Sequence, residues 1–153
     1  MQQYRIAERS WMLYDLANSA FSIIVSTAIF PIYFKSVAES AGISAADGTA
    51  YYAYAVSVAT FILALLGPVL GTIADYKGMK KKFFVFFFSL GVLGTASLSL
   101  PAASWLLLAV CYVIATVGSS GANLFYNSFL TDVTDEKRFD EVSAKGYAIG
   151  YIG

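Results

Sequence analysis

Residues 71–82 read GTIADYKGMKKK, and the fold is decided by this stretch. It closes one long apolar run and stands just before another, which opens with FFVFFF at Phe83. Asp75 falls where the upstream run should leave the hydrocarbon. Gly78 supplies a turn position at which positive φ costs little. Lys77, Lys80, Lys81 and Lys82 cluster around it. Basic residues are retained on the cytoplasmic side of a membrane, so the cluster marks a cytoplasmic hairpin between two transmembrane helices.

Composition points the same way. The chain of 153 residues is 58% hydrophobic and 13% charged, where a soluble domain carries about 25% charged residues. Apolar runs place spans at about 11–34, 50–74, 83–100 and 105–130. A fifth run starts near Ala144 and reaches Gly153 without the ~20 residues that a crossing needs. The expectation is an all-α polytopic membrane protein, with four complete transmembrane helices and the start of a fifth, forming the N-terminal portion of a longer protein. Arg5, Arg9, the lysine hairpin, Lys137, Arg138 and Lys145 fall on one side and Lys35 on the other. The N terminus is therefore expected in the cytoplasm, with 35–49 and the turn 101–104 outside. Trp11, Tyr33, Tyr51, Tyr52 and Trp105 sit near span ends, where interfacial aromatics are expected.

Several functions are argued against. Ten basic and ten acidic residues balance, and no basic stripe suits nucleic acid. Cys111 is the single cysteine, so it forms no intrachain disulfide and reads as a packing residue. There is no histidine and no nucleophile–base arrangement, which speaks against an enzyme. No cofactor or metal is implied. The acidic stretch TDVTDEKRFDEVSAK, residues 131–145, places Lys137 where a calcium loop beginning at Asp132 needs glycine, and it reads as a solvated cytoplasmic loop. The pairs Gly91/Gly94 and Gly118/Gly121 suit close helix packing, as do Gly67/Gly71 and Gly146/Gly150.

The polar residues inside the spans carry the functional reading. Residues three or four apart share a helix face. Asp15, Asn18, Ser19, Ser22 and Ser26 form a stripe in the first span, and Thr116, Ser120, Asn123 and Asn127 form one in the fourth. Such groups face protein or a wet cavity rather than lipid. Asn18 and Asn123 each lie roughly 10 Å inside the cytoplasmic ends of their helices, with Asp15 and Asn127 about one turn nearer that end. The expected pairs are Asp15 with Asn127 and Asn18 with Asn123, around one cavity that offers donors and acceptors to a small solute. Asp15 is suited to a proton or a cationic group. Tyr14 and Tyr126 have polar tips near the same cavity and pack or touch solute. The rival reading is helix glue in a membrane scaffold without a solute path.

Three blocks carry a resemblance. WMLYDLANSAFSIIVSTAIFPIYF from Trp11 contains Tyr14, Asp15, Ala17, Asn18 and Ser19; ANLFYNSFLTDV from Ala122 contains Asn123, Phe125, Tyr126 and Asn127; the third is GPVLGTIADYKGMKKK from Gly67. In order and spacing they resemble the vacuolar-effluxer-like branch of the major facilitator superfamily, which includes autophagy-related amino-acid effluxers. Gly71, Asp75, Gly78 and Lys80 match that superfamily's hairpin between helices two and three. Tyr76 and Met79 depart from it, and Lys77 and Lys81 lie one step from the missing basic positions. The resemblance implies a secondary transporter of two six-helix halves that rock in alternating access, with a cavity lined by the first and fourth helices. It also implies that the hairpin, Asp75 above all, gates the cytoplasmic side against the other half. By resemblance the solute class is amino acids, driven by an ion gradient or the solute's own, in the cell membrane of a bacterium.

Overall fold

The computed structural model describes residues 2–76, 78–100 and 104–152, and within them the side chains of all but residues 2–5 and 137. Lys77, the side chains of Arg5 and Lys137, and most of the turn at 101–104 lie outside the described residues. The first span is one rod in three pieces: α1 (Gln2–Ala20), a π-helical segment (Phe21–Ile29) and α2 (Phe30–Ser40). It is followed by α3 (Ala45–Asp75), α4 (Lys80–Ser97), α5 (Trp105–Ser128), the short α6 (Leu130–Val133), a 3-10 turn (Glu136–Arg138) and α7 (Phe139–Ile152). No strand occurs among the described residues.

Local chemistry sets the ends. Ser44 is extended, and its hydroxyl oxygen accepts the Asp47 N–H at 3.1 Å. This N-cap starts α3 at Ala45, ahead of the apolar run itself. Ser104 caps α5 in the same way, through the Leu107 N–H at 3.1 Å. Gly78 has φ of 91°, the left-handed conformation expected of it in the hairpin. Lys80, Lys81 and Lys82 form the first turn of α4, which begins within the hairpin itself.

Among the described residues, three helical stretches are long and apolar enough to cross a membrane: Ile6–Ser40, Ala45–Asp75 and Trp105–Ser128. The α4 helix has 18 residues, ~27 Å at 1.5 Å per residue, close to the hydrocarbon thickness of ~30 Å. Its lysine-rich first turn lowers its apparent hydropathy.

The α5 helix is the most buried element and contributes to three apolar layers. Phe30, Phe34 and Ala55 meet Leu108, Tyr112 and Ala115 at one end. Ala59, Leu70 and Phe87 meet Val117, Ala122 and Phe125 in the middle. Trp11, Tyr126 and Val142 pack at the other end. Small residues bring α4 and α5 together as expected. Gly118 lies against the Gly91 backbone, and a Cβ on Gly94 would stand 2.7 Å from the Ala115 backbone. Gly67 and Gly71 behave otherwise: nothing approaches a Cβ at either position within 4 Å, so that pair makes no close helix contact. Two expected interfacial aromatics are also interior. Trp11 is buried, and the Tyr52 hydroxyl points to the π segment.

Candidate functional site

The rod and α5 run antiparallel, and two reciprocal hydrogen bonds fix their register. The Trp11 indole N–H donates to the Tyr126 carbonyl at 3.1 Å, and the Tyr126 hydroxyl donates to the Trp11 carbonyl at 3.0 Å. The two rings stack with centroids 4.7 Å apart. Two turns further along α1, that register sets Asn18 opposite Asn123. The Asn18 carboxamide N–H donates to the Asn123 oxygen at 3.5 Å, across partly buried surroundings. At this length the bond is weak, so both amides keep capacity for another partner. Tyr14 packs on Tyr126 at 4.4 Å and on Phe84 at 5.4 Å. Tyr126 is buried in this packing, and Tyr14 lines a groove beside Asn18.

Asp15 and Asn127 are not brought together. The Asp15 carboxylate turns toward α7, where a Cβ on Gly150 would lie 2.6 Å from its Oδ2 and 3.1 Å from the Ser19 hydroxyl. Asn127 is exposed, and its side chain makes no hydrogen bond among the described residues. The stripe on α1 was legible, but α7 as its neighbour was not. Gly146 is the second point of approach, lying against the Trp11 ring. The first-span stripe also breaks at Phe21, because the π segment turns Ser22 and Ser26 away from the α-helical spacing that joined them to Asn18.

A groove of about 540 Å³ runs beside Asn18. Its walls are mainly apolar, with Tyr14, Phe21 and Phe88 facing Thr95 and Ser119. It is bounded by α4 as well as by the rod and α5, so the third span contributes to a space that the polar stripes assigned to two helices. The Thr95 hydroxyl is already committed to the Gly91 carbonyl at 2.7 Å, which leaves Asn18 as the amide on its rim.

At the hairpin, the Lys80 ammonium donates to the Ser128 carbonyl at 3.1 Å and pairs with Asp132 at 2.9 Å. These contacts tie the start of α4 to the end of α5. Lys81 is exposed, as is Asp75 at the end of α3, and Asp75 makes no side-chain hydrogen bond among the described residues. A second tie joins the start of the rod to the 3-10 turn. Glu8, 5% exposed, accepts from the Thr134 hydroxyl at 2.9 Å and from Arg138 at 2.8 Å. Beside it, Glu141 is held below the usual glutamate range by its hydrogen bonds to Lys145 and Arg138.

The sequence model of the family described as vacuole effluxer Atg22 like matches residues 4–146. The chain belongs to that family. A Bacillus subtilis (strain 168) protein titled "Uncharacterized MFS-type transporter YxiO" is 56% identical over 154 residues, covering 100% of this chain and 36% of the relative. A protein of Aquifex aeolicus (strain VF5) titled "Uncharacterized protein" is 27% identical over 148 residues, covering 97% of this chain and 36% of that relative. The chain thus spans about a third of the length of these curated relatives. No solved structure matches. Fold and family agree: this is an integral membrane, all-α chain of an MFS-type transporter family, corresponding to its N-terminal part.

Within this effluxer-like chain, the groups that residue spacing left out are Tyr52, Tyr112 and the π segment. The Tyr52 hydroxyl donates to the Ser26 carbonyl at 2.9 Å and lies 3.2 Å from the Tyr112 hydroxyl. One signal for them stood in the sequence. Pro31 sits inside the first span, and a helix-interior proline leaves a carbonyl without its donor.

Proposed function

We propose that the chain is the N-terminal part of a secondary-active transporter that moves a small polar solute by alternating access between two halves. The observation that carries this reading is the Asn18–Asn123 contact, long and partly buried, whose Asn18 lines an apolar-walled groove. Two carboxamides in such a setting offer a solute donors and acceptors, and they bond to each other when it is absent. Amino acids are the first solute class to test, on the resemblance to amino-acid effluxers. Tyr14 and Tyr126 shape the wall. Asp15 takes the proton or cation that couples transport to a gradient, with Asn127 at the cytoplasmic mouth. Gly71, Asp75, Gly78, Lys80 and Lys81 form the gating hairpin against the C-terminal half. The N terminus is cytoplasmic, in a bacterial cell membrane.

The test uses the full-length protein in proteoliposomes with a panel of labelled amino acids. Asn18→Ala and Asn123→Ala are expected to lower both uptake and counterflow at least tenfold while the protein stays folded. Asp15→Asn is expected to lose gradient-driven uptake and keep counterflow. Wild-type rates and wild-type substrate dependence in all three variants would end this reading.

A further inference from the structure

The Phe21–Ile29 segment departs from the α-helical register for a reason that can be followed bond by bond. At its end the Phe30 N–H bonds to the Val25 carbonyl, five residues back. The Thr27 hydroxyl likewise reaches back five residues, to the Ser22 carbonyl at 3.0 Å. In an α-helix, Phe30 would instead serve the Ser26 carbonyl. In the π register the next residue should serve it, but that residue is Pro31, which has no N–H. The Ser26 carbonyl therefore has no donor from its own helix. Within a membrane an unpaired carbonyl is costly, and neighbouring side chains commonly satisfy it. Here the donor is the Tyr52 hydroxyl of α3, at 2.9 Å. Phe30 stacks on Tyr112 at 4.4 Å on the same side, and Tyr112 in turn touches Tyr52.

We propose that Phe21–Ile29 is a two-register hinge in the rod, and that Tyr52 is the positioning residue that holds it in the π register by capturing the Ser26 carbonyl. Returning to the α register hands that carbonyl back to Phe30, moves the missing Pro31 donor to the Thr27 carbonyl and leaves Tyr52 without its acceptor; the π register instead puts the unserved carbonyl at Ser26, where Tyr52 reaches it. Each residue rewound from the wider π turn to the α turn rotates α2 by roughly 15–20° about the axis relative to the half that bears Asp15 and Asn18, so the 9 residues of the segment together turn it by more than a right angle. Contact between α3 and the rod is thereby linked to the orientation of the polar half. The hinge depends on neither the Asn18–Asn123 contact nor a bound solute.

The test is a spin-label distance measurement on the full-length protein in bilayers, with labels at Leu13 and Ser36, both exposed, and Cys111 replaced by serine. The native chain is expected to give the π-register distance. Tyr52→Phe is expected to add a second, longer population, moving the ratio of the two roughly fivefold, the worth of one net hydrogen bond. Pro31→Ala restores an N–H that can serve Ser26 in the π register. In that background Tyr52→Phe is expected to change little, and if the single variant folds poorly the double variant is expected to fold. A Tyr52→Phe shift that persists undiminished with Pro31→Ala, a distribution identical to the native one in the single variant, or a failure of the double variant to rescue folding would each overturn the hinge.

Discussion

Between Asn18 and Asn123 the hydrogen bond is 3.5 Å long, and interhelical polar bonds in membranes contribute about 0.6 kcal/mol on average. Asn123→Ala should therefore cost less than ~1 kcal/mol of stability. If the pair serves solute, transport by the full-length protein falls far more than that stability loss accounts for. Thermal unfolding in detergent, read beside proteoliposome uptake, separates the two effects. Thr116 gives a contrasting expectation. Its buried hydroxyl has no hydrogen-bond partner among the described residues, and a buried unsatisfied group costs about 1–3 kcal/mol. Thr116→Val is thus expected to raise the unfolding temperature with little effect on transport. Spacing alone predicted that Asn18 meets Asn123, because two antiparallel rods of fixed rise put residues of equal depth opposite one another. It did not predict that Asp15 meets Gly150. A stripe identifies a polar face but not the helix that covers it, and α7 comes from the end of the chain.

Among the elements, α4 and α5 share a seam of small residues that leaves no room for added atoms. Gly118 lies against the Gly91 backbone and Gly121 against the Phe87 ring. Gly118→Ala must push two backbones apart, and overpacking of this kind costs roughly 1–3 kcal/mol. Gly71→Ala meets open space and removes glycine's entropy penalty, so it should stabilise by about 0.5–1 kcal/mol. Chemical denaturation of the two variants in mixed micelles should move in opposite directions. Equal losses would mean that α3 and α5 are glycine-packed alike. Sequence pattern showed that both glycine pairs were candidates for packing, yet only neighbour identity distinguishes them. The helix ends were partly legible: the apolar run of α5 starts directly after the Ser104 cap, whereas that of α3 starts near residue 50, well inside the Ser44 cap. The π segment escaped notice because hydropathy records which residues are apolar, not which carbonyl each N–H serves. Pro31 was its one local sign.

For the molecule as a whole, charge placement sets the expectation for how the helices sit in the membrane. The ion pairs Lys80–Asp132 and Glu8–Arg138 gather the start of the rod, the hairpin and the α5–α7 connection at one end. The caps at Ser44 and Ser104 lie at the other ends of α3 and α5. Lysine and arginine are held back on the cytoplasmic side, so we propose that the paired end faces the cytoplasm. The pair at Glu8 also holds that end together. Its carboxylate is 7% exposed and the Arg138 side chain 43%, so solvent screens the arginine and little of the glutamate. Arg138→Ala leaves a buried carboxylate with the Thr134 hydroxyl as its remaining donor among the described residues, which is expected to cost about 1–3 kcal/mol after discounting the exposed partner. Arg138→Lys should recover part of that loss. Orientation and this clamp are tested together by cysteine labelling of intact cells with a membrane-impermeant reagent, in a Cys111→Ser background. A cysteine at Ala46 is expected to react from outside, and one at Lys82 only after the cells are opened. In Arg138→Ala the Lys82 pattern should be unchanged, because the retention of positive charge that sets it does not depend on one ion pair. Thermal stability alone should fall. Labelling at Lys82 from outside would invert the topology and place the polar half of the rod on the wrong face for a cytoplasmic solute.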